Sequence, residues 1–143
     1  MINILNVDHI NFMAIIKSYT DIEQSKKLAE ILPLESADMI WILANPDLPM
    51  IKAIAYEDSE KSKYYEVLPA WSLAALLSFV TYNVSISRAV YRFKLVKFSD
   101  HWECYHENFG RVSTEIFKAD NPVDACVNML EKLHELKLLK NLI

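Results

Sequence analysis

Apolar positions recur with two different periods along this chain, and one long stretch has no charge at all. Val67 to Ser87 reads VLPAWSLAALLSFVTYNVSIS, twenty-one residues without an Asp, Glu, Lys or Arg. A membrane span needs about 20 predominantly apolar residues. Here Pro69, Ser72, Ser78, Thr81, Asn83, Ser85 and Ser87 interrupt the run, so only Trp71 to Val80 is densely apolar. That length predicts a buried helix over about 70–81 followed by an exit loop. Pro69 suits a place before or at its first turn; alternatively Ser72 is the N-cap and the helix starts later. Leu73, Ala74, Ala75, Leu76, Leu77 and Phe79 leave no polar face, so protein is expected to enclose it.

Helical periodicity appears twice more. Thr20 followed by Glu23 reads as a capping box opening a helix over about 20–32, with Ile22, Leu28, Ala29 and Leu32 as its stripe and Pro33 as its stop. Glu23 and Lys27 form an expected (i, i+4) pair on its outer side. A helix over 122–138 starts at Asn121 as N-cap, with Pro122 at N1 and Asp124 at N3. Val123, Cys126, Val127, Leu130, Leu133 and Leu136 make one stripe, and Lys137 and Lys140 suit its negative end.

Period-two segments predict the strands. Asp38 to Ala44 and Met50 to Tyr56 flank the turn cluster NPDLP and read as a hairpin, strands near 38–44 and 50–56. Met39 to Leu43 is apolar on both faces, so one face is expected to meet helices and the other a further surface such as a second subunit. Glu57 to Lys63 is a solvated loop. A meander over 89–97, 102–108 and 111–117 follows, with Ser99-Asp100 as its first turn. In that register Leu95 faces Cys104, Phe93 faces His106 and Arg92 faces Glu107. Gly110 supplies positive φ at the third position of the loop Asn108-Phe109-Gly110, and Val112, Thr114 and Ile116 then point inward. The last helix should lie over Tyr91, Phe93 and Leu95. Residues 1–18 stay ambiguous: Met1 to Val7 as a strand, Ile10 to Lys17 as a helix or a second strand. The elements together predict an α+β class with antiparallel sheet, one domain over 1–143.

Composition narrows function by exclusion. A chain of 143 residues, 52% hydrophobic and 24% charged, is globular rather than disordered. A net charge of −4 gives no electrostatic case for nucleic acid. Up to Ser87 there are 6 basic and 11 acidic residues, and after it 9 and 8, a mild imbalance without a tail. Two cysteines make no disulfide framework. No secretory leader or membrane helix is read, and a cytoplasmic location is the expectation. The single glycine, Gly110, removes Gly-rich phosphate loops and the nucleophile elbow, which need several.

Three stretches carry a resemblance: SYTDIEQSKKLAEILPLESADM (Ser18 to Met39), LPAWSLAALL (Leu68 to Leu77) and VDACVNMLEKLHELKLL (Val123 to Leu139). They resemble an uncharacterised family of small proteins from gut bacteria and their phages and mobile elements, with no assigned activity. The resemblance implies an accessory protein of such an element and carries over no catalytic residue. It begins near Ser18, so residues 1–17 are expected to be a dispensable extension, with Met13 as an alternative start.

The residues with chemical potential are few. HWECYH holds His101, Cys104 and His106, but alternation puts His101 on the opposite face, and structural zinc needs four closed ligands. Cys126 and His134 approach them only if the last helix packs that face down. A buried cysteine with a half-exposed histidine pair is the reading the pattern favours. Cys104 and Cys126 read as inert core thiols. Glu103/Glu107 and Glu131/Glu135 read as solvated outer faces rather than acid–base pairs. Trp41, Tyr56, Tyr64, Tyr65, Trp71, Tyr91 and Trp102 lack the basic groove that base-stacking platforms need. No catalytic, cofactor or metal residue is assigned. The leading expectation is a non-enzymatic module binding protein, self or host, with self-association through Met39–Leu43. A small enzyme or metal protein around Cys104/His106/Glu103 is the alternative. A third reading, an RNA-binding αβββα order, is fold analogy only, and Asp120, Asn121 and Asp124 at the start of the last helix would repel phosphate.

Overall fold

The described chain pairs its strands into two antiparallel sheets and packs three α-helices against them, an α+β fold. The structure is a computed structural model that describes residues 17–59, 66–80, 84–86, 88–112 and 115–139. The expectations for residues 1–16, including the Met13 start, and for Tyr64, Tyr65, Thr114 and Lys140 lie outside these. In chain order the elements are α1 (Ile22–Ala29), a 3₁₀ turn (Leu34–Ser36), β1 (Met39–Ile42), β2 (Met50–Lys52), β3 (Val67–Ala70), α2 (Leu73–Val80), β4 (Val84–Ile86), β5 (Ala89–Lys97), β6 (Trp102–Asn108), β7 (Arg111–Val112), β8 (Phe117–Ala119) and α3 (Pro122–Glu135).

The first helix is capped one residue later than its sequence predicts. Asp21, not Thr20, is the N-cap: its carboxylate accepts the Gln24 N–H at 2.8 Å, and the Gln24 side chain accepts the Asp21 N–H at 3.1 Å. Thr20 is instead buried. Its N–H donates to the Trp71 carbonyl at 2.9 Å, and its hydroxyl accepts the Trp71 N–H at 3.1 Å and lies 2.8 Å from the Ser25 hydroxyl. The expected Glu23–Lys27 pair is replaced by Glu23 with Lys26 at 3.9 Å.

β1 is the middle strand of the first sheet, order β2-β1-β3. The β1–β2 hairpin stands as predicted, in shorter form, with Trp41 opposite Ile51. β3 is the element that the charge-free run concealed. Val67 to Ala70 pairs with β1, Pro69 opposite Ile40, and an edge strand tolerates a proline whose missing N–H faces away from the ladder. The helix therefore starts at Leu73, and Ser72 caps it by accepting the Ala75 N–H at 3.2 Å. Asp38 in turn accepts the Ser72 N–H at 2.8 Å and its hydroxyl. Leu76, Phe79 and Val80 are buried, but Ala74 and Ser78 are exposed, so α2 is not enclosed all round. Val84–Ile86, read as exit loop, is a strand pairing with β5.

The second sheet runs β4-β5-β6, with β7 and β8 both on the far side of β6. β5 and β6 keep the predicted bounds and register, Leu95 opposite Cys104, Phe93 opposite His106 and Arg92 opposite Glu107. The next turn differs. Asn108 pairs with Arg111, so the loop has two residues, Phe109 and Gly110, at φ 46° and 83°. Two positive φ values are the mark of a type I′ hairpin turn. Moving Asn108 out of the loop shifts the following strand by one residue and flips its side chains. Val112 and Ile116 are exposed rather than inward, and Phe117, opposite Cys104, is buried. Five strands, not three, thus separate α2 from α3, and the αβββα analogy loses its strand count.

Asn121 caps α3 by accepting the Asp124 N–H at 2.9 Å, with Pro122 at the start of the helix. Its stripe is buried from Val123 to Leu133, while Leu136 lies past the end of the helix and is exposed. The helix closes with a Schellman motif: the Leu138 N–H donates to the Leu133 carbonyl and the Lys137 N–H to the His134 carbonyl, both at 2.9 Å. α3 lies over β6 and β8 and against α2. Phe93 and Leu95 pack against the shared core, as expected, and Tyr91 is not part of it.

Candidate functional site

The HWECYH segment separates into two environments. His101 closes the β5–β6 turn. Its Nδ1 is 2.7 Å from Asp100 Oδ1, its Nε2 is 2.6 Å from Glu103 Oε2, and its ring stacks on Phe98 at 4.8 Å and 5°. Bonds to Glu103 and then Asp100 raise the pKa of His101 above its ordinary 6.5. Only an imidazolium donates from both nitrogens, so the clamp selects the charged form. Glu103 is part-buried beneath it, not the solvated outer carboxylate expected, and also lies 4.0 Å from Lys118 Nζ.

Cys104 and His106 point the other way, into the core. His106 is 3% exposed, not half-exposed, and meets Phe93 edge-on at 5.7 Å. The Cys104 thiol donates to the Ala125 carbonyl at 3.2 Å and lies beside Cys126, both cysteines being free and buried. The bond with Cys126, then burial, push the Cys104 thiol far above the ordinary cysteine range. Nucleophilic attack and metal ligation both use the thiolate, which this environment opposes. His134 is exposed and does not join them. Among the described residues no three His, Cys, Asp or Glu side chains are arranged to hold a metal ion, and no helix is long and apolar enough to cross a membrane.

A further polar cluster, not foreseen from sequence, is structural. Lys17 Nζ lies 2.8 Å from both Asp21 and Asp124, and Gln24 donates to Asp124 at 2.7 Å. It ties the N-terminus of α1 to that of α3. Burial favours the neutral forms of both carboxyls, but the Gln24 N–H and Lys17 at Asp21, and Lys17, Gln24 and Asn121 at Asp124, hold them below the usual carboxylate range.

Met39–Leu43 is half-buried to buried along its length. Ile40 faces the interior, and Trp41 is engaged by the chain's own segment before α1: its indole N–H donates to the Thr20 carbonyl at 3.0 Å and Tyr19 meets it edge-on at 5.9 Å. The exposed apolar side chains of this hairpin are Leu48 in the turn and Met50 on the edge strand β2.

Among the described residues the most exposed large apolar side chain lies elsewhere. Phe109 is 101% exposed at the tip of the β6–β7 turn. It lies at the end of a groove of about 530 Å³ lined by Val90, Arg92, Lys94, Glu107 and Asn108 on the sheet face away from α3. Asn108 shapes this end by donating its side-chain N–H to the Val90 carbonyl at 2.7 Å. Lys94 reaches Glu107 at 3.6 Å across the strands. All three arginines of the chain, Arg88, Arg92 and Arg111, lie at this end and are exposed. None of them forms an ion pair among the described residues. Sequence reasoning passed over this surface. Its signals were an aromatic directly before the only glycine and the clustering of every arginine within residues 88–111.

No protein-family model, no curated protein and no solved structure matches the chain.

Proposed function

We propose that this chain is a non-enzymatic accessory protein of a phage or mobile element that acts in the cytoplasm by binding another protein. The element origin rests only on the resemblance of Ser18–Met39, Leu68–Leu77 and Val123–Leu139. The binding role is supported chiefly by Phe109. Its slot in a type I′ turn is one that Asn, Asp or Gly fills with little strain, and a bulky residue at positive φ costs about 1–2 kcal/mol. Full exposure leaves unused the roughly 1.5–3 kcal/mol that burying a Phe side chain is worth, a gain open to a partner. A residue strained in the free fold and left unburied by it, beside exposed arginines and the apolar Val90 and Val112, has the aromatic-plus-Arg make-up of a binding hot spot.

Phe109→Asn tests this. The variant is expected to be about 1 kcal/mol more stable than the parent and to lose the partner that the parent captures from host extract. A variant that keeps its partner would overturn the assignment of this surface. A second reading, self-association, is favoured by Met50 on β2, an edge strand among the described residues, and Leu48 in the adjoining turn, because exposed edge strands template pairing. Sedimentation of the parent beside Met50→Lys tests it; a parent that is monomeric throughout removes it.

A further inference from the structure

We infer that the surface around Phe109 binds an extended acidic peptide segment of its partner, one that turns carboxylates and an apolar side chain toward the same face. The inference rests on the protein-binding reading above and names the chemistry of the partner.

Charge is the first argument. The chain carries −4 overall, yet residues 88–118 hold six basic and four acidic side chains, so the rest of the molecule carries the whole excess of negative charge. Within that basic segment Asp100 is bound by His101, and Glu103 by His101 and Lys118. Among the described residues Arg88, Arg92 and Arg111 form no ion pair. Guanidinium forks suit carboxylates in bidentate geometry and are more weakly hydrated than ammonium groups, which lowers the cost of stripping their water.

Spacing is the second argument. On the outer face Arg92 lies across from Glu107 and then Val112, with Val90 one step along β5 beside the Phe109 turn. A ligand following β5 therefore meets Val90, Arg92 and Lys94 at every second residue, one apolar position and then two cationic ones. An extended peptide turns every second side chain to one side, so a segment of the form Leu-x-Glu-x-Glu, with small polar residues at x, matches this row. Glu107, between Arg92 and Lys94, would face a charge at every step of a nucleic-acid backbone, whereas a peptide can place an uncharged residue there.

Fluorescence anisotropy with the full chain tests this, using a labelled peptide that repeats Leu-Ser-Glu-Ser-Glu-Ser (the Glu-Leu peptide), its counterpart with Lys in place of Glu (the Lys-Leu peptide) and a labelled oligouridylate. The Glu-Leu peptide should bind saturably, at least about tenfold more tightly than the Lys-Leu peptide, and weaken with added salt. Arg92→Glu and Phe109→Asn should each weaken it about tenfold or more, and Lys27→Glu on α1 should leave it within about twofold. Unchanged circular dichroism confirms that the surface variants fold. Equal binding of the two peptides, tighter binding of oligouridylate, or indifference to Arg92→Glu would overturn the inference. If Phe109→Asn abolishes capture of the host partner while the Glu-Leu peptide fails to bind, the protein-binding reading stands and the acidic partner falls. If capture is untouched, the surface assignment itself falls.

Discussion

Thr20→Val removes one oxygen from the interior and nothing else of consequence. Thr20, Ser25 and Trp71 are each 0% exposed, so no water stands ready to replace that oxygen. The hydroxyl has two partners: it accepts the Trp71 N–H at 3.1 Å and lies 2.8 Å from the Ser25 hydroxyl. Valine keeps the shape and leaves the Trp71 N–H orphaned, at about 1–3 kcal/mol. Ser25 loses less, because its hydroxyl can turn to the carbonyl of Asp21 one helical turn back, and about 0.5–1 kcal/mol is a fair allowance. The expected loss is about 1.5–4 kcal/mol, a large part of the roughly 5–15 kcal/mol of a typical domain. In thermal terms this is about 3–16 °C, at roughly 2–4 °C per kcal/mol for chains of this size or a little larger. Urea unfolding followed by tryptophan fluorescence is the assay, with the midpoint falling at constant slope. Thr20→Ser keeps the hydroxyl, drops one methyl and should cost only about 1 kcal/mol. A Thr20→Val protein within about 0.5 kcal/mol of the parent, or no worse than Thr20→Ser, would refute the reasoning.

The His101 clamp gives a pH dependence of defined sign. Because its folded pKa is raised above 6.5 by Glu103 and Asp100, the stability it contributes is fully present below pH 6.5 and is lost as pH rises through the higher folded value. The parent should therefore lose more stability on this alkaline side than His101→Gln, and an NMR titration placing His101 at or below 6.5 would contradict the clamp. Lys137 stands at φ 61° in the Schellman turn, where glycine is the usual residue. Lys137→Gly should raise stability by about 0.5–1 kcal/mol, measured by the same urea unfolding; a destabilised variant would argue against the left-handed turn. Cys104 and Cys126, buried and free, should resist a thiol reagent in the native protein and react together on unfolding. Rapid native labelling of either would place it at the surface.

What the sequence could and could not reveal follows from where each structural decision is made. β5 and β6 were legible to the residue because alternation and a two-residue turn are local, and together they set the register of Leu95 on Cys104. One turn later alternation misleads: counting Asn108 into the loop moves β7 by one, and a period of two turns that single step into an inverted face at Val112 and Ile116. The caps show a different limit. Thr20 and Asp21 are adjacent competent capping residues, and the choice between them is made by Trp71, fifty-one positions away, which takes the Thr20 hydroxyl for itself. β3 was hidden for a third reason, since Pro69 is compatible with a helix start or an edge strand and only the presence of β1 beside it decides. The candidate surface needed a reversal of habit. An apolar residue is ordinarily read as core, and Phe109 becomes informative only once the turn forces it outward at positive φ, the single glycine already holding the neighbouring place. The physical signal was therefore a conflict between residue type and turn geometry, and such a conflict is visible only after the turn length has been settled.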